Sequence, residues 1–315
     1  MVDENKRFLD HLGVTAWHAA GWTGSRGLTA TTEVLDGSDD HAANTLAVFR
    51  LIAPDRKVIR LRTGSSVIDG VTHHRLIEES VPEIIRQHVD TLYSAEIVDD
   101  RCDVSVVDAG LEPVKDFCSI FYGIGNDSTR GYSKITESKY IFGVGAYYLM
   151  AGTNEMRPAY FSSVSEHVDF AAPTLINQFS GTSCATPCLC GMAALVNDMA
   201  IAVTGRPLSQ DGMHRFLADC AVDIGAEGFD TKAGYGAPIL PDPAKIDIWA
   251  YQSREDKTMY KDDDKIPDWA REDVYYCKEI GLMQGDADGS FRPDDPVTRA
   301  ELACALARLR RDMDK

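Results

Sequence analysis

The chain has 315 residues, is 44% hydrophobic and carries a formal net charge of −17. This length suits one large domain plus a small one, or two domains, with enough apolar material for a sizeable core. The acidic balance argues against nucleic acid and against anionic membrane surfaces as partners.

The N-terminal run MVDENKRFLDHLGVTAW contains no apolar h-region, so no signal peptide is visible. Val58–Leu61 reads as a strand, and Val81–Tyr93 has helical spacing. Val104–Val107, Ser119–Tyr122 and Tyr140–Val144 read as further strands bounded by glycine and polar turns. Short continuous apolar runs separated by helices predict an α/β fold, a largely parallel sheet covered on both faces, over residues 1–245. Residues 246–265 include YQSREDKTMYKDDDK and read as an exposed charged linker. Residues 266–315 form a compact unit, with helical spacing in Trp269–Ile280, a turn-rich stretch, and a second helix starting near Thr298. Thr298 followed by Glu301 is a capping box.

No apolar run is expected to span a membrane. The eight cysteines are Cys102, Cys118, Cys184, Cys188, Cys190, Cys220, Cys277 and Cys304. Most lie in apolar runs and read as reduced core residues. Cys188-Leu189-Cys190 has the wrong spacing for a zinc knuckle. Asp286-Ala287-Asp288-Gly289 lacks a downstream bidentate glutamate and reads as a structural turn. Neither a metal nor a cofactor is expected.

The most informative string is Gly181-Thr182-Ser183-Cys184-Ala185-Thr186-Pro187, which precedes a long apolar stretch from Cys188 to Val203. Proline is tolerated in a first helical turn, so Ser183 should lie at or just inside a helix N-terminus. Free backbone N–H groups there can stabilise an oxyanion formed when a hydroxyl attacks a carbonyl. The plainer reading is that Thr182 or Ser183 only caps the helix.

The same string resembles the nucleophile motif Gly-Thr-Ser-x-Ala-x-Pro of the subtilisin-like serine proteases. Four other segments match in order and spacing: Phe142–Ala146, Tyr160–Ser163, Val168–Pro173 and Gly234–Gly236. The resemblance implies a subtilisin-like fold and peptide-bond hydrolysis, with a peptide or protein as substrate. It implies Ser183 as nucleophile and Asn126, after the strand-like Ser119–Tyr122, as oxyanion donor. It implies His41 as base, in a string His41-Ala42-Ala43-Asn44 that replaces the usual His-Gly-Thr-His. It also sets Glu33 at the carboxylate position, with Asp36, Asp39 and Asp40 as alternatives. Val104–Gly110 falls where the substrate-pairing strand is expected.

Ile266–Arg310 resembles a single S-layer homology module, through Gly281–Gly285, Asp288–Pro293 and Val297–Glu301. The resemblance implies a bacterial cell-wall polymer as partner and a cell-wall or extracellular location. Arg299 suits an anionic saccharide by forked hydrogen bonds, or is simply a helix-start residue. Two alternatives to a wall-tethered protease stay open: a subtilase fold retained only for binding, and a phage or prophage structural component.

Overall fold

A computed structural model describes residues 4–33, 35, 37–61, 75–98, 102–252, 260–279, 281–286 and 288–313. The chain divides into two compact units, Met1–Ser253 and Arg254–Lys315.

In the first unit, helices α1 (Glu4–His11) and α2 (Val14–Ala19) precede strand β1 (Leu28–Thr31). Helix α3 (Asp40–Ile52), strand β2 (Lys57–Arg60), helix α4 (Val81–Gln87), strand β3 (Thr91–Ser94), helix α5 (Val104–Leu111) and strand β4 (Ser119–Gly123) follow. The long strand β5 (Ile141–Leu149), strands β6 (Met156–Pro158) and β7 (Phe170–Pro173), and helices α6 (Thr182–Thr204) and α7 (Gln210–Asp219) complete the unit, with a small pair β8 (Ala221–Val222) and β9 (Ala237–Pro238).

The sheet runs β2-β1-β3-β4-β5, with β7 also paired to β5. All these pairings are parallel, and only β6 joins antiparallel, on the last residues of β5. Side chains alternate across the sheet as a period of two requires. Tyr93 and Phe121 enter one core with Val48, Phe49, Ile52 and the apolar body of α6. Leu92, Ile120 and Tyr122 enter the other with Ile84, Val107 and Leu111. Both faces are therefore covered, as the apolar strand runs predict.

Two expectations fail locally. Val81–Tyr93 is not one helix: α4 stops at Gln87, and His88 takes a left-handed C-cap (φ 54°). Thr91–Ser94 is then a buried strand paired with both β1 and β4. Val104–Gly110, expected as a strand and as the substrate-pairing edge, is helical. The Asp103 carboxylate accepts from Ser105 N (3.1 Å) and Val106 N (3.4 Å), and this N-cap starts α5. The chain leaving β3 passes Glu33 instead, with Ala95 N donating to Glu33 Oε1 at 3.3 Å.

α6 is the central helix. Among the described residues it is the one helix long and apolar enough to cross a membrane, and it is enclosed by the core. Its carboxylate Asp198 is fully buried and accepts from Thr23 N (3.2 Å), Gly24 N (2.9 Å), Ser25 N (3.2 Å) and Arg26 N (3.1 Å), and from Arg26 Nη1 (3.0 Å). That nest fixes the turn leading into β1. At the amino ends of the strands, the buried Arg56 pairs with buried Asp90, which also accepts from Leu28 N (3.0 Å) and Asn197 Nδ2 (3.1 Å).

The second unit holds helices α8 (Asp268–Glu279) and α9 (Arg299–Met313). The expected helix end at Ile280 lies outside the described residues. The capping box is present: Glu301 N donates to Thr298 Oγ1 (3.2 Å) and Thr298 N to Glu301 Oε2 (2.7 Å). Both ends of the 246–265 stretch, expected as linker, hold packed residues. Ile248 is buried in the first core, whereas Tyr260 is buried and Asp262 accepts from Phe291 N (2.7 Å) and Arg292 N (2.8 Å). The charged composition of 246–265 reads as solvated linker, but the Asp262 carboxylate is a structural acceptor.

Candidate active site

β1 has β2 on one side and β3 on the other, so the chain order reverses at β1. In such sheets a crevice opens outside the carboxyl ends of the strands at the reversal. Glu33 leaves the end of β1, Ala95 the end of β3, and Asn126 lies just beyond the end of β4. Glu33 and Asn126, both singled out from the sequence, therefore lie at the end of the sheet where parallel sheets bind ligands.

Glu33 is 9% exposed, and its side chain is held from two directions. Oε1 accepts from Ala95 N at 3.3 Å, and Oε2 lies 3.4 Å from His41 Nδ1. The Glu33 backbone is fixed by N–H donation to Thr31 Oγ1 (3.2 Å). His41 stands in the first turn of α3, whose N-cap Asp39 accepts from His41 N (2.8 Å) and Ala42 N (3.1 Å). Asp39 is thus occupied as a cap, and Asp40 is an exposed first-turn residue. Asp36 lies outside the described residues. The Glu33 carboxylate raises the His41 pKa above its ordinary 6.5 through their hydrogen bond, against partial burial that lowers it, with Asp39 adding a smaller upward pull. A carboxylate on Nδ1 favours the tautomer that leaves Nε2 free to take a proton.

Asn126 follows a turn stitched to Phe161–Val164. Ser163 N donates to Gly125 O (3.0 Å), Asp127 N to Ser163 Oγ (3.1 Å) and Val164 N to Ser128 O (2.9 Å). Asn126 Oδ1 then accepts from Thr182 N (2.8 Å) and Thr182 Oγ1 (3.2 Å). Two donors on the oxygen fix which way the amide faces, so Nδ2 points away from Thr182.

Neither Thr182 nor Ser183 is the cap. Gly181 takes that position with φ 104° and ψ 170°, and its side-chain-free geometry leaves the capping to Asn126. This backbone region is essentially open only to glycine. A Cβ at Gly181 would lie 3.5 Å from Asn126 Nδ2, Asn126 Oδ1 and Ser183 N alike, so the Asn126 amide and the Ser183 N–H both approach this glycine. Ser183 is the second residue of α6 and 9% exposed. Thr182 N is taken by Asn126, and Cys184 N and Ala185 N reach Gly181 O. Among the described residues no acceptor is paired with Ser183 N. Pro187 sits one turn on, where it cannot donate to the Ser183 carbonyl.

His41 and the Ser183 segment are linked by Phe179, whose ring lies edge-to-face with the imidazole, centroids 5.6 Å apart. Sequence reading missed Phe179, and missed Asp198 as the organiser of the turn before β1. A lone carboxylate inside MAALVNDMAIAV was the available signal for Asp198, since a charge is buried only with partners.

In the second unit, Arg299 is exposed at the start of α9. A groove of about 690 Å³ lies nearby, lined by Phe291, Val297 and Leu302 with Arg292 and Arg308, and Arg299 is not among its lining residues. Arg292 is engaged by Asp286 (2.5 Å), Asp295 (3.1 Å) and Glu301 (3.5 Å). In the acidic turn before it, Asp288 accepts from Ser290 Oγ at 2.6 Å.

The S-layer homology domain family matches residues 260–303. No curated protein sequence matches the chain. Solved structures share the fold at low identity. The prenylagaramide maturation protease PagA is 14% identical with a TM-score of 0.58, over 72% of this chain and 95% of that one. A lanthipeptide protease is 16% identical with a TM-score of 0.55, over 76% and 95%. Fervidolysin from Fervidobacterium pennivorans, a keratinolytic enzyme related to subtilisin, is 15% identical with a TM-score of 0.53, over 73% and 44%. The chain therefore has a subtilisin-like fold joined to an S-layer homology module.

Proposed function

We propose that the first unit is a serine endopeptidase and that the second tethers it to a bacterial cell-wall polymer. The observation that carries the reading is the Glu33–His41 contact at 3.4 Å, at the same end of the sheet as Asn126, whose oxygen accepts from the Thr182 N–H beside Ser183. The three proteases that share the fold are consistent with it.

In this reading Ser183 Oγ attacks the scissile carbonyl carbon while His41 Nε2 takes its proton. Glu33 holds Nδ1–H and stabilises the imidazolium. Asn126 Nδ2 and Ser183 N donate to the oxyanion as charge develops on it. Collapse of the intermediate returns the proton to the leaving amine and leaves an acyl ester on Ser183. Water, deprotonated by His41, then releases the acid. In the second unit, Arg299 offers an exposed guanidinium to an anionic saccharide.

The test is covalent labelling by a fluorophosphonate probe. The full chain should react, and Ser183→Ala should abolish the reaction. Labelling that survives this substitution removes Ser183 as the nucleophile. A folded chain that never reacts favours the binding-only reading.

A further inference from the structure

The chain reaches Ser183 from β7 through 174–182, TLINQFSGT, which contains no titratable side chain. Three of its non-glycine residues are left-handed: Leu175 (φ 70°), Asn177 (φ 53°) and Gln178 (φ 62°). Left-handed leucine is costly, and Leu175 is 46% exposed, so burial of its side chain does not offset that cost. The turn is closed on itself. Leu175 N donates to Phe179 O (2.9 Å), Phe179 N to Ile176 O (2.9 Å) and Gln178 N to Leu175 O (3.2 Å). Gly181 N donates to Thr174 Oγ1 (3.0 Å) and ties the turn to the cap of α6. Both α1 and α3 pack against it. Such strain persists where the surroundings over-determine it, and it gathers at functional sites.

What the turn presents to the site is Phe179. Its ring is half-buried, 5.6 Å from the His41 ring with the planes at 76°. His41 needs a second support. Its ring is 45% exposed, it stands in the first turn of its helix, and its contact with Glu33 is long, at 3.4 Å. The terminal torsion of histidine is broad, so a ring held from one side alone samples other orientations.

We propose that Phe179 is a positioning residue for His41, held by the strained turn so that its ring keeps the imidazole Nδ1 on Glu33. The proposal rests on the reading of His41 as the base for Ser183. The charged groups facing His41 are Glu33 from the end of β1 and Asp39 from the cap of α3, and the Phe179 turn adds none. Phe179 therefore acts by shape and by excluding water. An edge-to-face aromatic pair shifts a population by about three- to ten-fold. Its loss lets Nδ1 leave Glu33 and weakens the hydrogen bond that holds the histidine pKa up, which outweighs the smaller burial effect of opposite sign.

The test compares Phe179→Ala, Phe179→Leu and Phe179→Tyr in the full chain, by the fluorophosphonate labelling rate as a function of pH. Phe179→Ala should label about three- to ten-fold more slowly, with its acid limb displaced to lower pH as Nδ1 leaves Glu33. Phe179→Tyr should restore both, and Phe179→Leu should fall between. In a Ser183→Ala background, ¹⁵N NMR of His41 should show the Nδ1–H tautomer giving way to a mixture in Phe179→Ala. Identical His41 titration and tautomer in all variants overturns the positioning role, whatever the labelling rates. If Phe179→Ala fails to fold, the Leu and Tyr variants decide, because a purely structural role shifts their melting without moving the acid limb. Absence of labelling in the unaltered chain sinks the nucleophile reading alone, and the NMR comparison still tests Phe179.

Discussion

Glu33 has one more methylene than the aspartate its position suggests, and the site uses that reach. The backbone leaves β1 at Thr31, yet the carboxylate still meets both Ala95 N and His41 Nδ1. Because Glu33 raises the His41 pKa, the neutral, proton-accepting imidazole forms only as pH climbs above 6.5 toward the folded value. The linkage runs the same way for stability. The ion pair contributes fully below 6.5, and its contribution is lost as pH rises through the raised value. Glu33→Gln should therefore move the acid limb of labelling to lower pH and cut the plateau rate by about 10² or more. Unchanged rate and limb would pass the orienting role to another acid. Glu33, His41, Asn126 and Ser183 were each singled out by a resemblance to family segments. Phe179 was not, because an aromatic four residues before a serine carries no signal until the turn folds it back onto α3.

At the scale of elements, α6 is both the core of the first unit and the platform of its site. Its N-terminus carries Ser183, and its interior carboxylate Asp198 gathers four backbone N–H groups ahead of β1. Asp198→Ala leaves those donors and the Arg26 guanidinium without their acceptor. Chemical denaturation should then show a loss of about 3–5 kcal/mol. A loss below 1 kcal/mol would mean that the turn at 23–26 is held by other contacts. The strands at 119–122 and 140–144 were readable because parallel strands buried on both faces are apolar throughout. Val104–Leu111 misled for the same reason: VSVVDAGL is as apolar as a buried strand, and only the cap at Asp103 marks it as a helix. In Val81–Tyr93 the break at His88 carries neither glycine nor proline, so helical spacing ran on unchecked into β3.

Over the whole chain, the composition changes after residue 245, and the two compact units divide at 253/254. The charged run was read as linker because its acceptor role for Phe291 N and Arg292 N depends on a turn almost thirty residues away. Purified cell walls should retain the full chain and release a chain ending at residue 253. Arg299→Ala should weaken retention in a salt-sensitive way, since an exposed guanidinium binds an anion through screened charge. Equal retention with and without residues 254–315 would remove the tether. The first unit also carries a lesson for reading its relatives. Asn126 caps α6 with its oxygen, so under the proposed mechanism one side chain would serve folding and chemistry at once. A lineage that lost the reaction would still be pressed to keep this asparagine for the sake of the helix. Its presence in a sequence testifies to an intact scaffold, and the burden of showing a living enzyme falls on His41 and Glu33.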